Sequence, residues 1–162
     1  MMTMFAPLWS DERGNSFVEM AFIAPVLATL LVGTVDISRG VSTKLQLEQA
    51  AQRAIERVQV YGYGAAGKTD VSSLQTDAAT AAGITATSSN PTITAWLECN
   101  HDGTQHTYSS DASTTCGANP YARYVAITVQ SSFTPLFGTK FFPGANADGT
   151  VTVEGYAVVR TQ

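Results

Sequence analysis

The sequence predicts an α+β fold, with a long N-terminal membrane helix followed by a small antiparallel sheet and a helix packed on it. Three observations predict it. Residues 17–35 form an apolar run that contains one charge, Glu19. Apolar residues then recur at spacings near three and four as far as Tyr61, the period of a helix. Three later segments alternate apolar and polar residues, the period of half-buried strands.

The apolar run reads FVEMAFIAPVLATLLVGTV, with Asp11, Glu12 and Arg13 before it and Asp36 and Arg39 after it. At 1.5 Å per residue it reaches roughly 28 Å, enough to span a hydrocarbon core. Pro25 lies inside it and removes one backbone donor, which predicts a kink. A cleaved secretory signal, a plain signal anchor and a segment with a specialised processing site all fit such a run. The ordinary signal fits least well, because the preceding residues are acidic and no small-x-small site closes the run. Charge bias does not fix the orientation, since Arg39 and Lys44 outweigh Arg13.

Beyond the membrane the helix is expected to continue over 16–61, about 69 Å in all. Ile37, Val41, Leu45, Ala51, Ile55 and Val58 form its expected apolar stripe, with Lys44, Gln46, Glu48 and Arg53 largely elsewhere. That stripe packs on the chain's own domain, on other subunits, or on both. Gly62, Tyr63, Gly64, Ala65, Ala66 and Gly67 read as a loop. A second helix follows, with Asp70 as its N-cap and Gly83 as its stop. Being rich in Ala and Thr, it needs a sheet to pack on. In the segment 92–99, Ile93, Ala95, Leu97 and Cys99 share one face; in 121–133, Val125, Ile127 and Val129; in 151–159, Val151, Val153, Ala157 and Val159. A three- or four-stranded sheet covered on one face by helices is the natural solution.

Two loops remain. Residues 100–120 read as a long polar loop. Residues 134–150 contain Pro135, Phe137, Phe141, Phe142 and Pro143, aromatics that either cap the core or meet a partner.

Composition narrows the function. Apolar residues make up 44% and charged residues 14% of the chain, against about 25% charged in a usual domain. The net charge of −4 gives no electrostatic case for a nucleic-acid partner. Cys99, His101, His106 and Cys116 lack the spacing of zinc ligand pairs. Asn146, Ala147, Asp148 and Gly149 lack the remaining positions of a calcium loop and read as a turn. Gly62, Gly64 and Gly67 fit a dinucleotide-type glycine pattern, but they follow a helix rather than a strand. No nucleophile motif is present, and both histidines lie in one polar loop. The expectation is a non-enzyme with no cofactor and no metal.

The residues Arg13, Gly14, Asn15, Ser16, Phe17, Val18 and Glu19 carry a more specific signal. A charged leader ends in Gly, four residues follow, and a Glu then stands inside the apolar run. This resembles the processing site of type IV pilins and pseudopilins. The wider pattern, with Met20, Ala21, Phe22, Ile23, Ala24, Pro25, Val26 and Leu27, then Gly33, Asp36 and Arg39, and later Ala50, Ala51, Gln52, Arg53 and Ala54, resembles the TadE-like family, minor pilins of the tight-adherence (Flp) pilus. The resemblance covers about residues 13–57. Met20 departs from the major Flp pilins, where Tyr is usual, and the chain is longer than they are; both favour a minor subunit.

The resemblance implies a pilin-like plan: a leader over 1–14, a membrane helix with its extension over 15–61 and an extracytoplasmic α+β domain over 62–162. It implies cleavage between Gly14 and Asn15 by a prepilin peptidase. Glu19 would become the fifth residue of the mature chain. Charge in a membrane segment is costly; Glu19 either pairs with a free N-terminal amine during assembly or stays solvated near the headgroups. Membrane lipid, other pilin or pseudopilin subunits and the pilus assembly machinery are the implied partners. The location would be the bacterial inner membrane, single-pass, with the N-terminus cytoplasmic and the domain periplasmic or extracellular. The outside topology also favours a disulfide between Cys99 and Cys116. The alternative is a membrane-anchored extracytoplasmic binding module unrelated to pili.

Overall fold

The structure is a computed structural model that describes residues 13–64, 70–109, 111–136, 138 and 144–161, with side chains from residue 17 onward. Within them the chain forms α1 (Arg13–Tyr61), α2 (Val71–Ala82), β1 (Thr92–Cys99), β2 (His106–Thr107), α3 (Ser113–Cys116), β3 (Tyr121–Phe133) and β4 (Val151–Arg160). The fold is α+β, as expected. The expected leader residues 1–12, the loop residues Ala65, Ala66 and Gly67, and the aromatics Phe137, Phe141 and Phe142 with Pro143 lie outside the described residues.

The four strands make one antiparallel sheet in the order β2-β1-β3-β4. Its two long pairings set the faces. Ile93 stands opposite Ile127 and Ala95 opposite Val125. On the other side, Ile127 stands opposite Ala157 and Val125 opposite Val159. These residues form the inner face, covered by the outer half of α1 and by α2. The core joins Leu47, Ala50, Ala51, Ala54, Ile55 and Val58 of α1 to Leu74 and Ala78 of α2 and to Val125, Ile127, Val129 and Val159 of the sheet.

The α1 stripe differs from its expected position. Ile55, Val58 and Ala51 face the core, but Ile37, Val41 and Leu45 are exposed. The docked face instead carries Gly40, Leu47, Ala50, Ala51 and Ala54. Small residues win because the helix backbone approaches the sheet closely. At Gly155 of β4, an added Cβ would collide with the backbone of Leu47 and Glu48. At Gly40 it would come within 3.2 Å of the Phe133 ring.

Helix α2 starts and stops where its capping residues require. The Asp70 carboxylate accepts the Ser73 backbone N–H at 2.8 Å. At the other end Gly83 takes the left-handed conformation (φ 69°), and the Ile84 N–H reaches the Ala79 carbonyl at 2.9 Å. Gln46 of α1 donates to the Ala82 carbonyl at 3.1 Å, and Arg57 pairs with Asp77. Helix α1 is already helical at Arg13, the first described residue, three residues before the expected start at residue 16.

The polar stretch 100–120 is more structured than a plain loop. It contains the two-residue strand β2 and the single turn α3. Cys99 and Cys116 form a disulfide with Cα atoms 5.4 Å apart. The bridge joins Leu97, Ala112 and Tyr121 in a second, smaller cluster.

Candidate membrane and assembly segment

Gly14 and Asn15, the expected cleavage pair, lie within the first turn of α1. Glu19 is one further turn along and is exposed. The helix runs on through Pro25 without interruption. Proline denies the Ala21 carbonyl its usual i→i+4 donor. Thr29 and Thr34 turn their hydroxyls inward, donating to the carbonyls of Val26 and Leu30 at 2.8 Å each. Polar side chains in the run thereby satisfy themselves on the helix backbone, which suits an apolar surrounding.

Large apolar side chains cover the surface of this half of α1. Phe17, Met20, Phe22, Ile23, Val26, Leu27, Leu30, Leu31 and Val35 are all exposed. A water-soluble helix would hide such a surface; here it has no cover among the described residues. The helix is long and apolar enough to cross a membrane.

The exposed apolar half and the docked half meet at Asp36. This carboxylate is 1% exposed, and both its oxygens lie 2.9 Å from the backbone N of Leu136, whose N–H they accept between them. Arg39, one turn on, places a guanidinium nitrogen 4.0 Å from Asp36 Oδ1. In the sequence Asp36 is recognisable only as the acidic residue that follows Gly33. A carboxylate placed immediately after an apolar run, on the face that later docks, is the signal that marked it.

The distal loop shows how its own charges are used. His106 Nε2 lies 3.1 Å from Asp102 Oδ2. The Thr104 N–H, and then His106, hold the Asp102 carboxyl below the usual carboxylate range. Ser113 does the same for Asp111. Cys99 and Cys116 are bonded to each other, so neither offers a thiolate. Among the described residues, no group of three or more His, Cys, Asp or Glu side chains is placed to hold a metal ion.

The uncovered face of the sheet is aromatic. Trp96 of β1 stacks on Tyr124 of β3 with ring centroids 5.4 Å apart; farther along the same face Tyr156 of β4, opposite Thr128, is exposed.

Residues 14–55 match the family model described as TadE-like protein. The match covers the apolar run, Asp36 and most of the docked half of α1, and it stops before the sheet domain. No curated protein and no solved structure matches the chain.

Proposed function

We propose that this chain, whose residues 14–55 are similar to TadE-like proteins, is a minor pilin of the TadE-like type. In this reading it is a structural and assembly subunit of a tight-adherence (Flp-type) pilus and not an enzyme. One helix anchors it in the bacterial inner membrane, with the N-terminus cytoplasmic and the sheet domain outside. The observation that carries the reading is the coincidence of the family match with the exposed apolar half of α1. A disulfide-bridged distal lobe suits an oxidising compartment.

Gly14 and Asn15 are the processing site in this reading, and Glu19 is the assembly group. The partners are a prepilin peptidase, other pilin or pseudopilin subunits, the assembly machinery and membrane lipid. Sequencing the N-terminus of the protein taken from membranes tests it. A mature start at Asn15 is expected; an intact leader, or a start beyond Gly33, sinks it. Glu19→Ala should leave cleavage and the outer fold intact while lowering piliation. Unchanged piliation would remove the pairing role from Glu19.

The uncovered face with Trp96, Tyr124 and Tyr156 favours a second reading, an anchored binding module unrelated to pili. That reading expects an uncleaved anchor and no co-purification with pilus components.

A further inference from the structure

Helix α1 and the β3–β4 pair run side by side in a fixed register. Going outward from the apolar run, Asp36 holds Leu136, Gly40 meets the Phe133 ring, Lys44 Nζ donates to the Glu154 carbonyl at 3.4 Å and Leu47 abuts Gly155. The end of the sheet where β3 leads into its connection to β4 is therefore the end nearest the apolar run.

That register places Leu136 at a definite height. Val35 is the last residue of the run and Asp36 follows it, about 1.5 Å farther along the axis. A headgroup layer adds about 5–7 Å to each side of the hydrocarbon core. With Val35 at the edge of that core, Leu136 stands at the level of the headgroups. Its backbone is tied down on Asp36, yet its side chain is 62% exposed. Val32 and Gly33, four and three residues before Asp36 and so on the same helix face, are half-buried, whereas residues 17–31 are exposed. Cover of this face thus begins at the last turn of the apolar run, one turn before Asp36. Arg39, about 6 Å beyond Val35 along the axis, keeps its guanidinium about half exposed.

We propose that Leu136 and Arg39 form a second contact with the bilayer that α1 crosses. The leucine side chain sits at the boundary between headgroups and acyl chains, and the guanidinium reaches lipid phosphate. The occupant is lipid because the patch is continuous with the apolar surface of the spanning helix. The consequence is a domain seated on the membrane surface in one orientation, rather than one carried on a free stalk. This rests on α1 being a membrane helix, and the test separates the two.

The full chain is placed in nanodiscs of mixed zwitterionic and anionic lipid. Its native cysteines are joined, so Leu136→Cys supplies a single free thiol for an environment-sensitive fluorophore and leaves the backbone bond to Asp36 in place. Val26→Cys and Ser113→Cys give membrane and water references. The expected result at position 136 is a blue-shifted emission, quenched by lipid spin-labelled near the headgroup more than by lipid labelled near the chain end. The probe at position 113 should show neither effect. Adding Arg39→Gln should weaken the shallow quenching at 136. A probe at 136 as wet as that at 113, with position 26 quenched by the deep label, overturns the contact and leaves the anchor standing. Drying of 136 only when other pilus subunits are added also overturns it, in favour of a protein partner. A wet probe at position 26 removes the membrane reading and the contact together.

Discussion

Asp36 shows how one side chain ties two halves of a molecule together. A buried carboxylate is tolerated only where donors surround it. Here the Leu136 N–H supplies one and the Arg39 guanidinium stands nearby. Asp36→Ala removes the acceptor and leaves the Leu136 N–H with its desolvation uncompensated, a cost of about 1–3 kcal/mol. Amide exchange at Leu136 should accelerate, while exchange in the centre of β3 stays slow. Asp36→Asn keeps a carbonyl acceptor and should lose less. If Leu136 exchanges at its original rate in the alanine variant, the tie is not what orders the start of the connection. The tie was out of reach of the sequence, because Asp36 and Leu136 are a hundred residues apart and nothing local pairs them. Glu19, by contrast, is singled out by a local feature, its spacing to Gly14, and its role rests on that spacing alone.

At the scale of elements, local rules located the helix ends and strand faces, whereas tertiary contact chose the docked face of α1. Asp70 and Gly83 were readable as the ends of α2 because capping depends on neighbours in sequence. The alternation in β1, β3 and β4 was readable for the same reason. Of the expected stripe, Ile37, Val41 and Leu45 do not meet the chain's own domain, because an apolar period says which face is apolar and not what packs on it. Alanines and a glycine carry the true seam, and a hydrophobicity pattern undervalues them. Gly155→Val puts a branched side chain against the Leu47 backbone, where no side chain can yield. Overpacking of this kind costs about 1–3 kcal/mol, and thermal unfolding of the detergent-solubilised chain should show a lower midpoint. An unchanged midpoint would mean that α1 and β4 can separate freely. Helix α2 responds to acid instead. Hydrogen bonds from the Ser73 side chain and backbone hold the Asp70 carboxyl below its ordinary range. A depressed folded value means that the cap's contribution is present above the unfolded carboxylate value and is lost as pH falls through the folded one. Ser73 amide exchange, corrected for its intrinsic pH dependence, should lose protection on that acid limb. In Asp70→Asn the limb should be absent.

For the whole molecule, the decisive feature is the division of the domain into two clusters. The larger one lies between α1, α2 and the inner face of the sheet. The smaller one gathers Leu97, Ala112 and Tyr121 around the disulfide. The sequence showed that residues 100–120 could be closed by Cys99 and Cys116, but β2 and α3 were invisible in it. Two strand residues and one helical turn leave no periodicity to read, and they are held by the bridge and by pairing with β1 rather than by their own propensity. The small cluster has few apolar side chains, so the covalent link carries much of its order. With a sequence separation of 17 between the cysteines, the chain-entropy model gives about 3 kcal/mol of stabilisation. Replacing both cysteines by serine should therefore lower overall stability by up to about that amount. It should also open residues 100–120 locally, below the threshold for global unfolding. Hydrogen exchange resolves the two effects: protection should vanish first in residues 100–120 and persist at Val125, Ile127 and Val129 and along 47–58. Simultaneous loss in both regions would make the domain a single cooperative unit and refute the division. Persistence is the expected result, because α1 clamps β3 and β4 through contacts that do not involve the bridge, and the lobe at the end of the sheet away from the apolar run can loosen without releasing the domain from its helix.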